Sequence, residues 1–195
     1  VAPITDIRPA AGQRFRFLHV SSMFERKGPD VLLEAFAEAF SSADNVELYI
    51  KTFPNPHNRV HELVANLSAD RQDMPSIVVD ESPMDDQGII ALYRSAHTLV
   101  LPTRGEGFNL PAAEALAMGL PVIVTGFGAH VDFCTLGTAE LLPFLFAKSG
   151  SHLGAANSCW VEPDKHTLAL KMGELRGKIV EGDDALEQRR RQGIE

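Results

Sequence analysis

Five short apolar runs, separated by four stretches with helical spacing, limit this chain more than any other feature. The runs are RFRFLHV (residues 14–20), VELYIKT (46–52), SIVVD (76–80), TLVLPT (98–103) and LPVIVT (120–125). They are continuous rather than alternating, which suits strands buried on both faces of a parallel sheet. Between them lie PDVLLEAFAEAF, HNRVHELVANLS, QGIIALYRSA and LPAAEALAMG. In the first of these, Leu32, Leu33, Phe36 and Phe40 repeat at helical intervals. Strand, helix, strand in regular order predicts βαβ units and hence a Rossmann-like, doubly wound α/β domain. Gly28 and Pro29 fit the cap and first turn of one helix, and Asp30 suits its positive end. Pro111 and Gly119 fit the first turn and the end of another.

Beyond Thr125 the signal weakens. GFGAHVDFC is expected to be a glycine-rich loop, residues 138–160 partly irregular, and residues 161–192 helical, with Asp164 as a cap. Residues 1–13, with Pro3, Pro9 and Gly12, are expected to be a linker, leaving one domain over residues 14–195. Its 45% hydrophobic and 23% charged residues suit a water-facing globule with a core. The net charge of -8 argues against a nucleic-acid partner, although a local basic pocket for a small anion remains open. Cys134 and Cys159 form no metal or disulfide framework, and a buried thiol is expected at each. With no signal peptide or membrane-length apolar run, the expected location is the cytoplasm. The first residue is Val1, and the chain is expected to be a fragment or a processed product.

In an open α/β sheet, ligands bind beyond the carboxyl ends of the strands, at the switch point. After the first strand, Arg26 and Lys27 immediately precede a helix N-terminus, where free N–H groups favour an anion. The two cations suit either a phosphate site or a solvated charge pair. After TLVLPT comes RGEGFN, in which Gly105 and Gly107 let the backbone approach a ligand. Position tilts Glu106 toward function at the crevice rim and leaves Glu114, one turn into the helix, undecided.

The stretch EGFNLPAAEALAMGLPVI resembles the signature of retaining GT-B glycosyltransferases, family 4 in particular, which approximates EGFGLPxxEAMAxGxPVI. LHVSSMFERKGPDVLLEAF is similar to that family's VGRLxxxKGxDxLLxAF, and LYRSAHTLVLPTRGEGF to its LYxxADvfvxPSxxEGF. The likeness spans roughly residues 15–190, with several motifs in order. It implies the C-terminal half of a GT-B fold, which binds a nucleotide-sugar donor while a separate N-terminal domain, absent from this chain, supplies most of the acceptor site. It also implies transfer of a sugar to an acceptor hydroxyl with retained configuration, of the kind used in polysaccharide biosynthesis. This half by itself is expected to be inactive.

Carried over by residue, the resemblance makes Lys27 the cation on the donor diphosphate, with Arg26 beside it. Glu106 contacts the transferred sugar, and Glu114 meets the ribose hydroxyls. The backbone of Gly107, Phe108, Asn109 and Leu110 faces the diphosphate. No metal or other cofactor is expected, and any membrane contact is expected only through absent parts. The nucleobase is expected near residues 80–84 and 52–55. Three departures stand out. Ser22 occupies the position of an arginine in the donor site, Asn109 replaces a glycine, and residues 141–146 and 150–160 fit no family pattern. Arg104 is a candidate to make up for the arginine, and His130 is either donor-facing or a turn residue. The loss at Ser22 also keeps open a non-catalytic, GT-B-like nucleotide-binding or scaffolding domain. A related epimerase or phosphorylase is a third reading, but no segment suggests the lysine-bound pyridoxal phosphate that a phosphorylase needs.

Overall fold

A computed structural model describes residues 2–69, 71–150 and 157–194. Six parallel strands form one sheet: β1 (Phe15–Val20), β2 (Val46–Lys51), β3 (Ser76–Asp80), β4 (Thr98–Leu101), β5 (Val122–Thr125) and β6 (Glu140–Leu142). Their spatial order is β3-β2-β1-β4-β5-β6. The chain winds outward from β1 to β3, then crosses back to lay β4 against the other side of β1. That reversal places the loops after β1 and β4 side by side at the carboxyl edge of the sheet.

The helices are α1 (Pro29–Ala39), α2 (Val60–Ala69), α3 (Asp86–Ser95), α4 (Leu110–Ala117), α5 (Lys165–Glu181) and α6 (Asp184–Ile194). α1 packs against α2 and α5, and α4 packs against β4, β5 and α6. Every residue of β4 and β5 is buried, as continuous apolar strands require. Phe17, Leu32, Leu33, Phe36, Leu48, Ile50, Leu99 and Ile123 lie in the core, with Phe17 touching Phe36 and Phe40. Among the described residues no helix is long and apolar enough to cross a membrane.

The stretch 138–160, expected to be partly irregular, carries regular strands. It contains β6, β7 (Phe144–Lys148) and the start of β8 (Cys159–Pro163), the last two paired as an antiparallel ribbon. The helical tail begins only at Lys165, capped by Asp164, whose carboxylate accepts from the Thr167 N–H at 2.6 Å. It divides where Gly182 takes a left-handed φ of 77° and ends α5. Cys134 is buried as expected, but Cys159 is exposed because it starts an outer strand of the ribbon. Residues 151–156 of the stretch matching no family pattern lie outside the described residues. Near the amino end, the Ile4 N–H donates to the Met118 carbonyl at 2.8 Å, and Ile7 is buried. The Arg190 guanidinium ties this segment to the turn after α4 by donating to the Ile4 and Gly119 carbonyls.

Candidate donor-binding site

The loop after β1 makes a single 3₁₀ turn over Glu25–Lys27 and enters α1 through Gly28. Gly28 is fixed twice over. Its φ of 68° is left-handed, and a side-chain carbon there would collide with the Pro102 carbonyl. This close approach brings the Lys27 turn against the loop after β4. Within that loop Asn109 has φ 71°, ψ 59° and caps α4. The position is therefore left-handed, and asparagine tolerates that conformation better than other side chains, which accounts for its place where glycine is usual. The Asn109 Nδ2 is buried and has no protein hydrogen-bond partner among the described residues.

The two loops bring the expected charges together. The Lys27 ammonium donates to Glu106 Oε1, and both side chains are largely buried. Arg26 Nη1 lies 3.5 Å from Glu106 Oε2 and donates to the Gly105 carbonyl at 3.1 Å, with its side chain partly exposed. Burial pulls the Lys27 ammonium below the ordinary lysine range, opposed by the Glu106 carboxylate. Glu106 thus lies beside the loop of the expected diphosphate cation. Gly107 follows it, and Phe108 and Leu110 are well exposed on either side of buried Asn109. In the first turn of α4 the Ala112 and Ala113 N–H groups donate to the Asn109 carbonyl and Pro111 has none, which leaves the Leu110 N–H without an intrahelical acceptor at the positive end of the dipole.

Glu114 occupies a different environment. Its Oε2 accepts from the Tyr93 hydroxyl at 2.9 Å. Burial, then the Glu114 charge, holds that phenol well above its ordinary range, so it remains a donor. The carboxylate lines a cleft of about 580 Å³ between α3 and α4, walled by Val20, Ile89, Ile90, Tyr93 and Pro111. The role of Tyr93 was missed in the sequence. The available signal was a tyrosine on an otherwise apolar helix face, where a buried hydroxyl needs a partner. Of the residues expected near the base, Met84 lies against Gly88 at the start of α3, while Asp80 and Ser82 bond to β2. Asp80 accepts from the Tyr49 hydroxyl at 2.6 Å, and the Ser82 carbonyl accepts from Lys51.

Three other candidates lie outside this group. Ser22 is half-buried, and its carbonyl accepts from Asn55 Nδ2 at 3.0 Å. Arg104, a candidate to make up for the missing arginine, has no donor left for a diphosphate. It is buried, and all five of its donor directions are taken by Glu162, Asp30 and the Glu25 carbonyl. His130 is fully buried, with Nε2 2.7 Å from the Thr125 carbonyl, which suits a turn residue. Below the loop, His19 bridges the Val100 carbonyl and the Ser21 hydroxyl at 2.7 Å each, and burial lowers its pKa to about 4. Among the described residues no group of three His, Cys, Asp or Glu side chains is arranged to hold a metal.

Residues 14–152 match the family described as Glycosyl transferases group 1. The chain belongs to that family. It is similar to the MMP alpha-(1->4)-mannosyltransferase of Mycolicibacterium hassiacum, with 36% identity over 53% of this chain and 24% of that protein. It is also similar to the D-inositol 3-phosphate glycosyltransferase of Corynebacterium efficiens, with 28% identity over 84% of this chain and 36% of that one. In three dimensions it superposes on a glycosyltransferase from Rickettsia africae with a TM-score of 0.70 and 22% identity, covering 93% of this chain and 42% of the other. That likeness supports the Rossmann-like, GT-B type of fold. The chain spans less than half the length of each of these three proteins.

Proposed function

We propose that this glycosyl transferases group 1 domain is the C-terminal, donor-binding half of a retaining family 4 glycosyltransferase, which moves a sugar from a nucleoside diphosphate to an acceptor hydroxyl. The observation that carries the reading is the Lys27–Glu106 pair, formed by two loops at the switch point beside the start of α4. A cation, a helix N-terminus and a largely buried carboxylate there suit a diphosphate next to an electron-poor sugar carbon.

In this reading the nucleoside lies in the cleft between α3 and α4, where Glu114 accepts from the ribose hydroxyls and apolar walls flank the base. The diphosphate runs from that cleft to the backbone N–H groups of residues 107–110. Lys27 and Arg26 neutralise it there, so no metal is needed. Binding transfers the Lys27 ammonium from Glu106 to phosphate. Glu106 is then free to accept from hydroxyls of the sugar and to favour positive charge at the anomeric carbon as the diphosphate leaves. Arg26 takes over part of the work of the arginine replaced by Ser22. The acceptor is held mainly by a partner domain outside this chain.

Titration calorimetry with UDP-, GDP- and ADP-sugars tests the reading. Saturable binding of at least one donor, weakened by Lys27→Ala, is expected. Failure of all three to bind a protein that also carries its acceptor domain would overturn it. The replacement of arginine by Ser22 favours a second reading, a nucleotide-binding domain without transfer. Donor binding with no sugar transfer to any acceptor would select that one.

A further inference from the structure

We infer that Arg104 is a positioning residue that sets the Lys27–Glu106 pair, and through it the affinity for a nucleoside diphosphate. The inference rests on the donor-binding reading above, but it concerns a residue that touches no donor in that reading. Arg104 lies two positions before Glu106, and its main chain and side chain both grip the turn that ends in Lys27. The Arg104 N–H donates to the Arg26 carbonyl at 2.7 Å, while Nη1 donates to the Glu25 carbonyl at 2.7 Å. Two successive carbonyls of the Lys27 turn are therefore held by one residue of the Glu106 loop. The same guanidinium makes a bidentate pair with Asp30 in the first turn of α1, at 2.8 and 2.6 Å. Its remaining edge makes a second bidentate pair with Glu162 of β8, at 2.7 Å for both bonds. The Val161 N–H donates to the Arg104 carbonyl at 3.1 Å, and the Trp160 ring covers the guanidinium.

The guanidinium thus joins the 3₁₀ turn, the start of α1, the loop after β4 and the ribbon at one point. A planar fork with five donors can meet two carboxylates and a carbonyl at once; an ammonium, with three donors radiating from one atom, cannot. The charge has the right sign to attract phosphate, yet it is neutralised by its own carboxylates and buried beneath the loops. Its effect on the site is consequently geometric. It fixes how far Lys27 stands from Glu106 and from the start of α4.

The test compares Arg104→Lys with the unaltered full-length protein by titration with UDP, GDP and ADP, and with the matching free nucleosides. Arg104→Lys should weaken binding of the preferred diphosphate by about 10-fold and leave nucleoside affinity unchanged, since only the phosphate end of the site depends on the clamp. In a Lys27→Ala background the same substitution should cost almost nothing more, because both changes act through one ammonium. Glu162→Gln, a milder change on the far edge of the clamp, should give a smaller loss confined to the diphosphate, and it serves if Arg104→Lys fails to fold. Unchanged diphosphate affinity in the variant that folds would overturn the inference and leave the proposed function standing. So would equal losses for diphosphate and nucleoside, or full additivity with Lys27→Ala. Absence of diphosphate binding by the unaltered protein would overturn the proposed function and this inference with it.

Discussion

Glu106→Gln should bind a nucleoside diphosphate more tightly than the unaltered protein while transferring sugar far more slowly. Glu106 holds the Lys27 ammonium in a largely buried ion pair. A diphosphate must displace that carboxylate before it can use the cation. At an effective dielectric of about 20, unit charges about 4 Å apart attract by roughly 4 kcal/mol, and this is the scale of the competition removed by the amide. Most of it is offset, because glutamine can still accept from Lys27 and the unaltered protein regains phosphate contacts on exchange. If a third survives, the net gain is about 1.4 kcal/mol, or roughly tenfold in affinity. The substitution keeps side-chain size and leaves Arg26 bonded to the Gly105 carbonyl, so the loop should hold its shape. Calorimetry with the preferred diphosphate, lacking the sugar, measures the first effect, and initial rates with the full donor measure the second. Equal or weaker diphosphate binding by Glu106→Gln, with an unchanged unfolding midpoint, would refute the idea that the two ligands compete for Lys27.

Further outcomes follow from the same loops. Gly28→Ala should destabilise the fold by about 2–3 kcal/mol in denaturant titration, because it combines a left-handed φ with a clash against a backbone carbonyl that cannot turn aside. Asn109→Gly should change stability by less than about 1 kcal/mol, whereas Asn109→Val should cost more than that, since a β-branched residue is a poor occupant of φ 71°. Equal stability of the two Asn109 variants would contradict the backbone argument. His19 supplies a pH dependence. Burial depresses its folded pKa from 6.5 to about 4, so below pH 6.5 the unfolded chain binds the extra proton. The associated stability is complete above pH 6.5, is lost as pH falls toward 4, and amounts to at most about 3 kcal/mol. Denaturant titrations from pH 4 to 7 should show a shallower slope in His19→Gln; an identical slope would remove His19 as the cause.

Much of the sheet was legible because β1, β2, β4 and β5 are central parallel strands. Burial on both faces forces runs such as TLVL and VIVT, and these read as strands without knowledge of their neighbours. The β7–β8 ribbon was not legible. FLFAK has no strict alternation, with Leu145 and Phe146 both exposed, and its partner strand begins beyond a long intervening segment. The candidate site divides in a similar way. Position after a strand and before a helix singles out Lys27 and Glu106 as candidates, while the roles expected of them come from the family resemblance. Arg104, named as a candidate to make up for the arginine missing at Ser22, is instead buried and fully bonded. Its true partners, Asp30 and Glu162, lie 74 and 58 residues away in sequence. The Tyr93–Glu114 bond, between residues 21 apart, likewise joins two separate helices across the cleft.

The most direct measurement is an experimental structure of the full-length protein with its preferred nucleoside diphosphate-sugar. The expected result places the diphosphate within hydrogen-bond distance of the Lys27 ammonium and the backbone N–H groups of residues 107–110, with the ribose on Glu114 and the sugar against Glu106. A nucleotide bound away from the α3–α4 cleft, with Lys27 and Glu106 still paired, would contradict it.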